Sequence, residues 1–341
     1  MDSKKKTLSR LFNNGNGISS SLIGVVAVIV IGMLVNYQSF FTISNFLNVG
    51  QQAASRGLIA CGMFMVIVSG TIDLSVASLY ALCGYLCMYF SNYNLLLGLL
   101  VPFGCAALHG IITATLIQKC RFHTWVVTIA MQMMLNGILY ICTNGYTYAP
   151  ERVDPFLSWL GNASLFGVSS SLICFILVYV VFAILLKTRV SFRALYSLGG
   201  NKEAAGMMGI NLYATRVRAH VICSCMACFS GMLTCCRSMS ALPQMGAGYE
   251  MYAIASCVLG GVYMSGGRGH VFGAFIGAWL VSFINNVFNI QTLFTTYWYQ
   301  VIVGLLVIIV ITSQSMEQFR ISLVKGRNHA KRKAKLHNIA S

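Results

Sequence analysis

Apolar residues dominate stretches of about twenty positions that recur from Ile18 to Ile311. These stretches do not alternate between apolar and polar residues, as the strands of a membrane barrel would. About 20 apolar residues carry a helix across hydrocarbon, and only helices and closed barrels satisfy their backbone there. The pattern predicts an all-α integral membrane protein with about ten spans, over 18–39, 45–69, 74–90, 95–117, 123–142, 168–187, 217–237, 252–264, 268–286 and 297–313. The eighth is short and flanked by glycine, which predicts a half-helix or re-entrant piece. The spans form one membrane domain, 18–313, between a basic cytoplasmic N-terminus, 1–17, and a basic cytoplasmic tail, 314–341. No soluble domain or linker interrupts it.

Composition narrows the class. The chain is 57% hydrophobic and 9% charged, where a soluble domain carries roughly 25% charged residues. The net charge of +16 would point to nucleic acid in a soluble protein, but these charges sit in short connections and terminal segments. With the N-terminus in the cytoplasm, all of the 23 Lys and Arg except Arg56, Arg152 and Arg237 fall on the inner side. The positive-inside rule then places both termini in the cytoplasm, together with the connection 188–216, and puts 143–167 and 238–251 outside. The basic residues orient helices and touch lipid headgroups, and no nucleic-acid partner is implied. Lys4, Lys5 and Lys6 ahead of an apolar run imitate a secretory signal. The run 18–35 is long for one, however, and the bulky Tyr37, Phe40 and Phe41 follow it, so it reads as a retained first helix. Most of the 13 cysteines lie inside apolar runs. Cys223, Cys225, Cys228, Cys235 and Cys236 include one C-x-x-C but no second half of a zinc spacing. They read as small residues at helix contacts, with no metal site.

The chain has no G-x-x-x-x-G-K-[ST] phosphate cradle, no H-E-x-x-H, and no His/Asp/Glu cluster visible along its spans. It therefore presents no catalytic residue and no cofactor site, and any ATP chemistry must come from another subunit. Three segments stand out. In Gly70–Ser78, Gly70 and Thr71 can break a helix. Asp73 is then expected in the first turn of the next helix, with Thr71 and Ser75 sharing the capping. It is either a capped break or a polar lining of a transport path, since a carboxylate in hydrocarbon is costly. In Leu198–Ile210, Asn201 is an N-cap, Glu203 stands in the first turn, Ala204, Ala205, Met207 and Met208 make an apolar strip, and Gly209 closes the helix. This predicts a two-turn helix between glycine hinges. It is too short to stand alone, and needs either a partner's groove or the membrane face of its own chain. In Gly260–His270, Gly266, Gly267 and Gly269 permit sharp bends, and Gly269, Gly273 and Gly277 permit close helix crossing. Ser69–Asp73 (SGTID) and Ser265–Gly269 (SGGRG) form a faint internal echo. Gln132, Asn136, Asn285, Asn286 and Gln300 are uncharged polar residues in apolar surroundings. They serve interhelical hydrogen bonds or, together, a path for a neutral hydroxyl-rich solute. Asp73 apart, no relay of acids and bases suited to a proton pump is visible.

The stretches SGTIDLSVAS, LGGNKEAAGMMGI and VLGGVYMSGGRGHVFGAFIGA occur in this order between Gln51 and the last span. In these the chain resembles the permease subunits of ribose-type ABC importers, which carry monosaccharides such as ribose, galactose, xylose and arabinose, and the autoinducer-2 signal. Thr71 and Ala77 stand where that family usually has glycine. The resemblance implies an ABC importer permease fold in a bacterial inner membrane. It implies that 200–210 is a coupling helix seated in a nucleotide-binding ATPase subunit that holds ATP and Mg, with Gly200, Asn201, Glu203, Ala204, Ala205, Met208 and Gly209 at the contact. It also implies a second permease subunit, identical or not, and an extracytoplasmic sugar-binding protein. Candidates for the translocation path are Asp73, Ser75, Gln132, Asn136 and Asn285. Candidates for helix breaks and packing are Gly70, Gly266, Gly267, Gly269 and Gly273. Delivery by a binding protein leads to the expectation of a weak solute site, or none, in this chain. The rival readings are an ion-coupled secondary transporter using Asp73 and an intramembrane enzyme.

Overall fold

The computed structural model describes residues 18–165, 167–291, 295 and 297–316. The basic segment 1–17 and most of the tail 314–341 lie outside the described residues. The helices are α1 (Ile18–Phe40), α2 (Ile43–Val68), α3 (Val76–Ser91), α4 (Leu95–Gln118), α5 (Thr124–Thr143), the short α6 (Pro155–Asn162), α7 (Ser170–Thr188), α8 (Val190–Gly200), α9 (Lys202–Met207), α10 (Leu212–Ser238), α11 (Tyr249–Leu259), α12 (Val271–Ile290) and α13 (Trp298–Met316). A two-residue hairpin, β1 (Ser164–Leu165) with β2 (Val168–Ser169), is the one sheet among the described residues. Eight of the helices are long and apolar enough to cross a bilayer, and α3 and α11 are shorter apolar helices. Together they match the ten predicted spans.

Several boundaries differ for physical reasons. The eighth span is Tyr249–Leu259, not 252–264, because Gly260 and Gly261 end the helix, Gly261 at φ +79°. The ninth starts at Val271 rather than 268, after the glycine-rich bend. The connection 188–216 is mostly helical. Gly199 and Gly200 form the last turn of α8 and are not free hinges. α10 begins at Leu212, capped by the Asn211 side chain, so Arg216 and Arg218 belong to that long helix and not to a loop.

Two helices form the centre. α2, 26 residues long, and α10, 27 residues long, cross each other, and α10 also packs on α3 and α4. Without a hydrophobic drive between helices in lipid, such crossings rely on small residues that let backbones approach. A Cβ added to Gly62 of α2 would come within 2.7 Å of the Cys223 Cα of α10, and one on Gly110 of α4 within 2.6 Å of the Val221 Cα. A Cβ on Gly231 of α10 would fall on the carbonyl oxygen of Tyr80 in α3. Cys61, Cys83, Cys87, Cys223, Cys228, Cys235, Cys236 and Cys257 are buried in this core as free thiols. By contrast α1 and α13 lie at the periphery with little of their surface covered. The connections 143–167 and 238–251 are tied together by paired backbone bonds between Tyr148 and Ala241, at 2.9 and 2.8 Å.

Replacing Gly231 by Ala is expected to lower the midpoint of thermal unfolding in detergent, since overpacking against backbone costs roughly 1–3 kcal/mol. Replacing Gly137 of α5, where an added Cβ meets nothing within 4 Å, is expected to leave it unchanged or slightly raised. Equal midpoints for the two variants would refute the close-crossing account.

Candidate functional site

Three chain segments converge on one point. α2 ends at Val68, and the chain turns through Gly70 at φ +84°. α8 ends at Gly199–Gly200, and the connection between α11 and α12 turns through Gly266 and Gly267 at φ +83° and +71°. The Gly267 N–H donates to the Val68 carbonyl at 2.9 Å. A Cβ on Gly199 would fall on that same carbonyl, one on Gly266 would stand 2.9 Å from the Gly70 Cα, and one on Gly267 would stand 2.5 Å from the Gly200 Cα. Gly70, Gly266 and Gly267 need glycine for their positive φ, and Gly199, which is helical, needs it because an added Cβ would meet backbone. Tyr196 of α8 reinforces the contact by donating its hydroxyl to the Gly269 carbonyl at 3.2 Å. The segments SGTID and SGGRG, separate in sequence, meet here with α8 wedged against both.

From this junction α9 projects. The Asn201 side chain accepts from the Ala204 N–H at 2.9 Å, Glu203 occupies the first turn, and Gly209 closes the helix at φ +79°. Ala205 is buried against the chain's own helices. Met207 and Met208 are 90% and 68% exposed. The apolar strip is thus split: Ala205 packs inward, and the two methionines are exposed among the described residues.

Beside the junction lies a buried polar network. Asp73 is fully buried and sits just before α3 rather than in its first turn. Its Oδ1 accepts from the Ser75 N–H at 3.0 Å and from the Ser75 hydroxyl, so Ser75 serves the carboxylate instead of capping the helix. Oδ2 lies 3.2 Å from His220 Nδ1. Thr71 Oγ1 is 3.3 Å from His220 Nε2 and accepts from Arg216 Nη1 at 2.9 Å. The same Nη1 reaches the Ser69 carbonyl at 2.8 Å. On the other flank Ser75 Oγ is 3.0 Å from His109 Nε2, and His109 Nδ1 is 2.9 Å from Ser224 Oγ. With Asp73 ionised and both imidazoles neutral, one tautomer assignment provides every contact with a proton. Arg216 donates to Thr71, Thr71 to His220 Nε2, and His220 Nδ1 to Asp73. Ser224 donates to His109 Nδ1, His109 Nε2 to Ser75, and Ser75 to Asp73. Both chains of donors end on one carboxylate.

The expectation that no His/Asp cluster occurs within the spans is therefore corrected. His109, 34 positions from Ser75, and His220, 147 positions from Asp73, arrive through folding. The signal in sequence was two histidines in otherwise apolar helices. No group of His, Cys, Asp or Glu suited to a metal occurs among the described residues.

The remaining predicted residues lie apart. Asn285 and Asn286 are buried on α12. Asn285 accepts from Asn289 at 2.9 Å, and Asn286 exchanges bonds with Asn45 at 2.8 and 3.0 Å. Gly273 faces Gly260 backbone to backbone where α12 crosses α11. Gln132 and Asn136 line a half-open cavity of about 270 Å³ between α3, α5 and the start of α11. A larger cavity of about 570 Å³ between α1, α12 and α13 is lined almost entirely by apolar side chains such as Val28, Leu280 and Phe288. Asp73 lines neither.

This bundle, with its broken helices and projecting short helix, is that of a multi-pass α-helical membrane permease. The profile of the family described as "Branched-chain amino acid transport system / permease component" matches residues 43–311, and the chain belongs to that family. Among curated proteins it is 34% identical to the ribose import permease protein RbsC of Escherichia coli K12 over 295 residues, covering 85% of this chain and 90% of that one. It is 31% identical to RbsC of Bacillus subtilis over 290 residues, covering 84% and 89%. It is 28% identical to the L-arabinose transport system permease protein AraH of Escherichia coli K12 over 268 residues, covering 78% and 81%. No solved structure matches. The chain is the membrane-spanning subunit of an ATP-binding-cassette importer and not an enzyme, with ATP hydrolysis belonging to a separate subunit. The ion-coupled reading gains no support.

Asp73→Ala would leave the Ser75 N–H and His220 Nδ1 unpaired in the core. At about 1–3 kcal/mol for each orphaned group, the variant should unfold well below the native protein, and Asp73→Asn, which keeps an acceptor, should fall between. A thiol-reactive dye that reports the buried cysteines during a thermal ramp gives the midpoints. Indistinguishable midpoints would contradict the convergence of donors on Asp73.

Proposed function

We propose that this permease imports a monosaccharide or a similarly small, neutral, hydroxyl-rich solute, driven by an ATPase subunit seated on α9. The observation that carries the reading is the glycine junction. It fixes α8 and α9 against the end of α2 and against the bend between α11 and α12. A push on α9 therefore cannot be absorbed locally. Gly200, Asn201, Glu203, Ala204, Ala205, Met208 and Gly209 form the coupling element: Ala205 anchors it, and the exposed methionines offer an apolar, adaptable surface to a groove. ATP and Mg are held by the partner, and this chain needs no cofactor of its own.

The distribution of Lys and Arg supports a cytoplasmic position for α9 and both termini. The paired segments around Tyr148 and Ala241 then face outward, where a solute-binding protein docks. A second permease subunit completes the path. The three relatives are named as permeases for ribose and L-arabinose, whereas the family description names branched-chain amino acids. The polar residues on the path favour the sugar. Gln132 and Asn136 are uncharged and suit hydroxyl groups. Asp73 and Ser75 hold the break at the base of α3, and Asn285 braces α12.

Reconstitution in proteoliposomes with the ATPase subunit and binding protein is expected to give solute accumulation that requires ATP. Met207→Asp/Met208→Asp should reduce co-purification of the ATPase subunit about tenfold or more, the loss of one good apolar anchor, with the midpoint of unfolding unchanged. Accumulation without ATP, or undiminished co-purification, would overturn the proposal.

A further inference from the structure

We infer that this chain carries its own solute subsite, in the 270 Å³ cavity between α3, α5 and the turn that opens α11; the inference rests on the import reading above. Gln132, Asn136 and Tyr140 lie four residues apart on α5, so they stack along one helix face as a ladder. Across from them stand Gln244, the backbone of Gly246–Gly248 and Glu250. Gly246 presses on α3 so closely that a Cβ would fall on the Ala77 carbonyl, and Gly248 turns at φ +81° to start α11. The far wall is therefore backbone, held in place by the core.

Two atoms mark the cavity as a place for a ligand. Ser78 is 3% exposed, and its hydroxyl has no hydrogen-bond partner among the described residues. One carboxylate oxygen of Glu250, Oε2, is likewise buried and unpaired. Buried polar groups are nearly always satisfied. Two orphans on the wall of one polar cavity are accounted for by a solute that supplies hydroxyl groups.

The chemistry of the lining narrows the solute. No Lys, Arg or His lines the cavity, so a phosphate or a free carboxylate would find no counter-charge. No Leu, Ile, Val, Met or Phe lines it either, so the branched alkyl chain of an amino acid would find no apolar wall. Three amides, a serine and a carboxylate together both donate to and accept from vicinal hydroxyls. Tyr140 adds a flat face to a ring. The volume lies just under the roughly 300 Å³ at which drug-sized sites begin, and fits one five- or six-membered sugar ring.

Uptake of labelled D-ribose, L-arabinose and L-leucine into proteoliposomes holding the complete importer tests the assignment. Native protein is expected to accumulate at least one sugar and not leucine. Ser78→Ala removes a hydroxyl without a partner among the described residues, and Glu250→Gln keeps an oxygen to accept the backbone N–H groups of Gly248 and Glu250, so folding and ATPase co-purification should be unchanged. Sugar uptake at subsaturating concentration should nevertheless fall at least fivefold in each. Asn136→Ala should fall similarly, while Met133→Ala on the neighbouring, 70% exposed face should not. Native ATP-driven sugar uptake that all the cavity variants retain would overturn the subsite and leave the import reading intact. Uptake of leucine alone would overturn the solute class. Absence of any ATP-driven uptake by the native complex would overturn both.

Discussion

The organising contact of this protein is backbone against backbone. At the meeting of Val68–Gly70, Gly199–Gly200 and Gly266–Gly267, three chain segments approach so closely that no Cβ fits at Gly199, Gly266 or Gly267. In water, packing of large apolar side chains holds such elements together. In lipid that drive is absent, and close van der Waals approach with backbone hydrogen bonds takes its place. The Gly267 N–H to Val68 carbonyl bond closes the junction and satisfies an end-of-helix acceptor that would otherwise be stranded. A compliant layer of long side chains would let α8 and α9 shift without moving anything else. A junction of bare backbone does not.

The Asp73 network answers a second constraint. Breaking a helix between α2 and α3 frees backbone groups, and irregular backbone at depth is tolerated only where protein or water satisfies it. Arg216 reaches out of α10 to the Ser69 carbonyl and to Thr71, and His220 and Ser75 complete the shell around the carboxylate. The charge at position 73 is thus the acceptor on which the broken segment and α10 are assembled. Burial of so polar a group is costly alone and acceptable because donors from Ser75 and His220 converge on the carboxylate.

Fold class, span number and the α9 cap were legible because each rests on local signals: run length, Asn201 ahead of an apolar strip, and glycine at helix ends. The half-helix was legible from its short length and its glycine flanks. What escaped was long-range. His109 and His220 carry no spacing that links them to Asp73, and Arg216 near a predicted loop reads as a positive-inside charge until α10 is seen to extend past it. The glycine hinges at 199–200 were misread because their freedom is spent on contact rather than on bending. Gln132 and Asn136 were found as polar residues in an apolar span. Their partner Glu250 was hidden in a segment that reads as an outer loop and instead opens a helix packed into the core.

The two functional regions are joined by the shortest elements in the bundle. α11 has Glu250 in its first turn at the cavity and ends at Leu259, just before the bend that enters the junction. Eleven residues at 1.5 Å each make a rod of about 16 Å. At the foot of α3, Asp73 and Ser75 hold the network while Ala77 and Ser78 line the cavity, two or three residues further on. Both connections are non-helical bends, 260–270 and 69–75, but each is tied by backbone hydrogen bonds, Gly261 to Val258, Val262 to Cys257 and Gly267 to Val68 in one, Gly70 to Ile67 and Thr71 to Val66 in the other. A shift of the junction by an ångström or two must therefore tilt α11 or slide α3, and both carry cavity walls. Packed cores and interfaces are bistable rather than continuously deformable, so such a shift is expected between two resting positions rather than as a graded response. A solute held between Glu250 and the α5 ladder would favour one of them only through better contacts there than in the other.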